Sequence, residues 1–497
     1  MLRHCCEYDL LNHFPPKALT NNYKFFNRTT LKGIALYLSS TIFKKNSRFL
    51  VNFALLVILY GCNSNLSKPP ELLNQEEIIQ SLNKNFQANK QIKVPNWWVS
   101  FNDLLLNELV NSTLKNNPDL SIAQSNLRLA KSQEELAARS FYPTLNADSS
   151  VSKPFAKQSA YSFGLSMAWE TDLLGNKRLN QTIQGMEVAT SGEQLADTQL
   201  ALTAETARAY VSYRQARLNL SNTLGNIKDL NETLQLTQAK QKVGLGNGLD
   251  TAQAQLSLTQ AQGRIPSLEA NLQTQINLLA RLTGITADAL AVRLKPQQAL
   301  PRLNQALPTA IPASALNQRP DIRMASARVK IESLKISSVQ RSKYPELSLS
   351  GSLSWGAQNL EKLFDPVSLA KSWSIALGKA LLDGGRNEQQ VFAQQEAYAQ
   401  AVQNYRKTLS TALEELANVV VSLQTINRQQ ATTRQALNQA KEAYHLSRSS
   451  YKVGATDFMS VLQAQQTIDS LENELTNLQG EQTQATISLY KAIGGVW

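Results

Sequence analysis

Apolar positions along this chain keep two different rhythms. Tyr161, Phe163, Leu165, Met167 and Trp169 alternate with Ser162, Gly164, Ser166 and Ala168, and Leu347, Leu349, Leu353 and Trp355 alternate with Ser348, Ser350, Ser352 and Ser354. A period of two puts the large side chains on one face of a strand and the small polar ones on the other. The pattern predicts strands at about 160–169 and 346–355, and weaker alternation predicts two more at about 144–152 and 372–378. Elsewhere the period lengthens. From Asn387 to Val453 there is no Gly and no Pro, and Val402, Tyr405, Leu409, Leu413, Leu416, Val420, Leu423 and Ile426 recur near the coiled-coil spacing. A helix of that length extends about 100 Å. A matching segment from Lys177 to Val243 also lacks Pro but holds three glycines.

The two rhythms occur twice. KQKVGLGNGLDTAQAQ at 240–255 is echoed by SYKVGATDFMSVLQAQ at 450–465, an offset of 210. NPDL at 117–120 and FYPTL at 141–145 are echoed by RPDI and KYPEL at an offset of 202, and DLLGNKR ending at Arg178 sits against LLDGGR ending at Arg386 at an offset of 208. Such self-similarity marks a duplication. It divides the chain into a first repeat over 103–284, a proline-rich linker over 285–318 and a second repeat over 319–497, preceded by segments 1–61 and 62–102. Tyr142-Pro143 and Tyr344-Pro345 are expected to end the helices that lead into the first strand of each repeat, because proline lacks the donor a helix needs.

Composition narrows the function. Only 18% of the 497 residues are charged, and the formal net charge of +12 is half explained by residues 1–61, where eight Lys/Arg face two acids. The remaining basic residues are scattered, without interleaved aromatics, which argues against a nucleic-acid partner. Lys44, Lys45 and Arg48 precede the apolar run FLVNFALLVILY, followed by Gly61 and Cys62. That is the layout of a bacterial lipoprotein signal, with Cys62 as the expected lipidation site and mature N-terminus, although the layout also fits a plain anchor or secretory leader. The 48 residues ahead of the run are long for a leader and point to a translation start further downstream. Cys5, Cys6, His4 and His13 fall inside this segment, which leaves Cys62 and His445 as the last of their kinds. No thiol–histidine pair, metal cluster or phosphate loop is spelled out, so neither an enzyme, a cofactor nor a metal site is expected.

Strands with one apolar and one small polar face suit a membrane barrel, yet four strands are too few to close one. About eight are needed before a barrel holds even its own side chains, and an open edge in lipid leaves backbone groups unsatisfied. The chain is therefore expected to share a barrel with copies of itself, and three copies leave room for water.

NWWVSFNDLLLNELVNSTLKNNPDL, the Tyr-Pro before each first strand, LLDGGR after the last strand and the two KVG turns together resemble the outer-membrane efflux factors, the TolC-like channels, in their lipidated drug-efflux branch. The resemblance implies a mostly α protomer with a small β portion: four transmembrane strands, very long helical hairpins, and a homotrimer with a twelve-stranded barrel and a helical tunnel in the periplasm. It implies an exit duct served by an inner-membrane transporter of the RND or ABC type through a periplasmic membrane-fusion adaptor. It also implies that Val243, Gly244 and Leu245, with Val453, Gly454 and Ala455, are hairpin tips that meet the adaptor. Asp250, with Ser460 and Gln463 at the second-repeat positions, is expected at the periplasmic aperture. Asp250 reads either as a ring of charge or as the cap of the helix after Asn247-Gly248. Trp97 and Trp98 are expected to pack along the helical body. A duct for type I protein secretion and a poreless periplasmic coiled-coil lipoprotein are the alternatives.

Overall fold

A computed structural model describes residues 96–153, 159–296, 299–301, 313–380 and 382–495. Cys62 and the leader lie outside the described residues. Helices α1 (Leu104–Asn116) and α2 (Pro118–Arg139) lead into the hairpin of β1 (Thr144–Ser152) and β2 (Ala160–Glu170). Then come α3 (Asn176–Lys242), α4 (Gly248–Gly263), α5 (Ile265–Thr283) and α6 (Ala287–Leu294). The second repeat contains α7 (Pro320–Arg341), β3 (Glu346–Ala357), β4 (Leu369–Gly378), α8 (Arg386–Lys452) and α9 (Phe458–Ala492). No helix among the described residues is long and apolar enough to cross a membrane.

The strands form one antiparallel sheet in the order β1-β2-β3-β4, so β1 and β4 are open edges. Register aligns the alternating patterns across it. Leu165 pairs with Leu353, Phe163 with Trp355 and Leu349 with Ile375, all on one face. Serines share the opposite face, and three cross-strand hydroxyl pairs, Ser150–Ser162, Ser350–Ser374 and Ser352–Ser372, bond at 2.7–2.8 Å. β4 starts at Leu369 and not at 372, because Trp355 finds a backbone partner in Leu369 despite the broken alternation there, and β3 runs on to Ala357, which pairs with Tyr161 of β2.

Both long helices have 67 residues, begin one residue before the sequence pattern placed them and start 210 residues apart. Asn176, rather than Arg178, is thus the counterpart of Arg386. The reason is a carboxylate at each strand-to-helix corner. Asp172 accepts hydrogen bonds from the backbone N–H of Lys177 (2.8 Å) and Arg178 (3.0 Å), and Asp383 accepts from Gly385 (2.9 Å) and Asn387 (3.1 Å). These donors would otherwise be orphaned at the helix N-terminus. The N–H groups of Asn387 and Gly385 hold the Asp383 carboxyl below its ordinary pKa. Helices α2 and α7 stop at Arg139 and Arg341, before the Tyr-Pro pairs, and one turn-like bond carries the chain from each end to Tyr142 and Tyr344.

One difference between the repeats was not read from the pattern. α9 is a single helix of 35 residues, whereas its counterpart is cut into α4 and α5. Pro266, in the first turn of α5, has no N–H to donate and would clash with the preceding turn.

The largest core lies where α1, α5 and α6 pack on the middle of α3. Trp97 and Trp98 are buried in it, and Trp97 stacks on Tyr490 of α9 with ring centroids 5.5 Å apart. Tyr210 donates to Asp103 (2.8 Å) and accepts from the buried Arg214, which also donates to the Pro296 carbonyl (2.8 Å). This chain of bonds ties the linker to α3, and burial raises the Tyr210 pKa. The Asp103 carboxylate also caps α1 through the Leu106 N–H.

Replacing Asp172 by Ala removes both acceptors at its corner and is expected to lower stability by about 1–2 kcal/mol, whereas Asp172→Asn retains most of the effect. Urea unfolding midpoints of the two variants check this, and equal losses would show that the cap is not the cause.

Candidate functional site at the hairpin ends

α3 ends in the same device as α8. After Val243, Gly244 turns with φ +74°, its N–H donating to the Gln241 carbonyl (3.1 Å), and the Leu245 N–H donates to Lys240 (2.8 Å). After Val453, Gly454 has φ +78°, with bonds from its N–H to Tyr451 (3.1 Å) and from Ala455 to Ser450 (2.9 Å). Both are Schellman turns, in which a residue free to take positive φ lets the chain satisfy the last carbonyls. A Cβ on either glycine would meet nothing within 4 Å, so the requirement is conformational and not steric. Lys240, Lys242 and Lys452 lie in the last turns, where positive charge opposes the helix dipole. Val243 and Leu245 are exposed and Val453 is 81% exposed, leaving bare apolar points at both ends.

The following helices are capped by residues at the same offset. Asn247 accepts from the Asp250 N–H (2.8 Å), and Asp457 accepts from the N–H (3.0 Å) and hydroxyl (2.7 Å) of Ser460. Those bonds from Ser460 lower the Asp457 pKa. Asp250 is therefore not the helix cap: Asn247 already supplies that acceptor, and the Asp250 side chain is left to turn elsewhere. It accepts a hydrogen bond of 2.9 Å from the Tyr451 phenol at the end of α8. Ser460 is taken up in its own cap, and Gln463 is exposed one turn further along.

Tyr451 is the functional candidate that sequence reasoning missed. It is 5% exposed and packs against Phe458, with centroids 5.5 Å apart, in a cluster that includes Leu230, Leu234, Leu258 and Val461. Lys240 places its ammonium 4.1 Å from the ring centre and donates to the Tyr451 carbonyl. A residue of α8 is thereby held by the last turn of α3 and the first turn of α4. One step higher, Arg448 of α8 approaches Glu232 of α3 at 3.4 Å. Desolvation, then the bond to Asp250, raises the Tyr451 pKa to about 12. The available signal was a substitution: the repeat has Gln241 where the second copy has Tyr451. His445 is exposed beside Tyr444, and among the described residues no group of His, Cys, Asp and Glu is arranged to hold a metal.

Chemically the hairpin ends hold a clasp, in which the Asp250 carboxylate and the Lys240 ammonium are both engaged by Tyr451, and apolar tips. Comparison with known proteins shows the family. The profile of the family described as outer membrane efflux protein matches residues 109–285 and 311–495. The chain belongs to this family. It is similar to the outer membrane protein OprJ of Pseudomonas aeruginosa, with 27% identity over 415 residues, 80% of this chain and 86% of that one. It is also similar to the pyoverdine export outer membrane protein OpmQ of the same species, with 27% identity over 430 residues, 81% of this chain and 87% of that one. Among solved structures, the outer-membrane channel OprN superposes with a TM-score of 0.76 at 26% identity, covering 82% of this chain and 94% of that one. VceC of Vibrio cholerae shares the fold with a TM-score of 0.73 at 24% identity, covering 82% of this chain and all of its own. This efflux protein is an outer-membrane channel with a TolC-like fold, a passive duct and not an enzyme.

Removing the phenol with Tyr451→Phe deletes one charge-assisted hydrogen bond between the hairpins, worth about 1.5 kcal/mol, and is expected to raise the open population about tenfold. Channel conductance in planar bilayers reads this directly. Because the pKa of Tyr451 is raised, the clasp is at full strength below the ordinary tyrosine value of about 10 and is lost as pH climbs through about 12. Conductance should rise across that window in the native efflux protein and stay flat in Tyr451→Phe.

Proposed function

We propose that this efflux protein works as a homotrimer, the outer-membrane exit duct of a tripartite pump for small organic molecules. An inner-membrane transporter of the RND or ABC type, joined through a periplasmic membrane-fusion adaptor, supplies the driving force. The observation that carries this reading is the four-stranded sheet with two open edges, one apolar face and one serine face. In hydrocarbon the unpaired backbone of β1 and β4 is prohibitive. Pairing β4 of each copy with β1 of the next closes twelve strands around a serine-lined bore. The strands have the right length. Twelve residues of β3, rising about 3.3 Å each and tilted by about 40°, gain roughly 30 Å of height, the thickness of a bilayer core.

On the periplasmic side, helices of 67 residues carry the hairpin ends about 100 Å along their axes. The exposed Val243, Leu245 and Val453 then suit the ends of adaptor hairpins, with Gly244, Gly454 and Ala455 shaping the tips. The clasp of Asp250, Tyr451 and Lys240 holds the two hairpins of one protomer together, which supports a closed resting aperture. Three Asp250 carboxylates around one axis also place negative charge where cations enter. The names of the relatives, an exporter of pyoverdine and pumps for antibiotics and toluene, support a cargo of small molecules. Lipidation of Cys62 is part of the same proposal, supported by the apolar run and Gly61 before it.

The deciding experiment is stoichiometry with conductance. The purified full chain should be a stable trimer that gives stepwise currents in planar bilayers, and a monomer without a lumen would end the proposal. Substituting Trp for Gly454 forces a bulky side chain into positive φ and should abolish export while leaving the trimer intact; undiminished drug resistance would remove the docking role. Asp250→Asn should reduce cation selectivity, and an unaltered reversal potential would leave Asp250 with the clasp alone.

A further inference from the structure

The connection between β3 and β4 is ordered by its own bonds. Two short 3-10 turns, Leu360–Lys362 and Pro366–Ser368, are joined by backbone bonds from Leu363 to Leu360 (3.1 Å), Asp365 to Lys362 (3.3 Å) and Ser368 to Asp365 (2.9 Å). The Ser368 hydroxyl adds a bond to the Lys362 carbonyl (2.9 Å). Such a loop keeps its direction without help from neighbours. That direction is given by Phe364, whose ring lies 5.8 Å from Phe163 and 6.1 Å from Trp355. Phe163 and Trp355 are paired in register on the apolar face of the sheet, so the loop leans over that face and away from the serine face.

The loop nonetheless leaves Leu360, most of Phe364 and Val367, the last 98% exposed, uncovered. These side chains continue the apolar face past the end of the strands. Near the loop end of that face, Lys371 takes its place in the apolar row opposite Leu353, one row before Trp355 and Leu369 and two residues from the exposed Trp373. A lysine in a lipid-facing row reaches the headgroup level with its ammonium while its stem stays in the apolar zone. The loop begins beyond it, at the depth where amphipathic segments rest.

We propose that residues 358–368 form an anchor in the outer leaflet, seated at the boundary between headgroups and acyl chains. The partner is membrane lipid, and the loop is a collar outside the barrel, not a lid over the bore. The inference rests on the reading of the apolar face as lipid-facing, and the experiment separates the two.

In the full chain, the photocrosslinking residue p-benzoylphenylalanine is placed singly at Val367, at Trp373 on the apolar face and at Ser354 on the serine face. The trimers are reconstituted in vesicles of phosphatidylcholine and phosphatidylglycerol and irradiated. Lipid adducts are expected at 367 and 373 and not at 354. Adducts at 373 without any at 367, or a crosslink from 367 to a neighbouring protomer, overturn the anchor while leaving the barrel reading in place. No adduct at 373 overturns the barrel reading, and the anchor falls with it. As a second measurement, Val367→Asp should leave single-channel conductance unchanged. A changed conductance would put the loop over the bore and refute the proposal.

Discussion

Everything in this protein follows from unpaired backbone at the two edges of a four-stranded sheet. A soluble protein can leave such edges to water or blunt them with charge, but an outer-membrane sheet has no such recourse. The edges leave the protomer incomplete. In the proposed trimer the serine face lines a space that no single chain encloses, the apolar face meets lipid, and the helices leaving the sheet continue the wall. Hydroxyl pairs across the serine face satisfy one another, so the middle of the lining is polar, with Asp148 on β1 as a carboxylate among the hydroxyls.

The duplicated plan uses the same local chemistry twice. Each long helix starts under a carboxylate, Asp172 or Asp383, and each ends in a Schellman turn at Gly244 or Gly454. Asn247 and Asp457 then cap the returning helices. Where structure alone is required, the copies agree. They differ where one hairpin must hold the other. Identical ends would present identical groups, whereas a phenol at 451 facing a carboxylate at 250, with Gln241 and Ser460 at the equivalent places, gives a donor on one hairpin and an acceptor on the other. The cut at Pro266, with Thr476 at the same offset in the unbroken α9, is a second asymmetry.

The sequence by itself determined the parts that depend on neighbours along the chain. Alternation at 160–169 and 346–355 gave the faces of the sheet, because side chains two residues apart share a side whatever else is present. The long stretch without Gly or Pro before Val453 gave a helix correct to one residue, and Val-Gly gave its end, because positive φ is a local demand. The count of strands pointed to a sheet with two open edges, which the fold has. What the sequence could not show was who faces whom. Asp250 resembled a helix cap, since Asp after Asn-Gly suits one, yet Asn247 captured the N–H and freed the carboxylate for a phenol 201 residues away. The edge of β4 at Leu369 and the lean of Phe364 toward Phe163 were likewise decided in three dimensions. Hydrogen bonds and ring contacts of that kind have no period and no motif, because they are made only after two hairpins, each folded on local rules, are brought side by side.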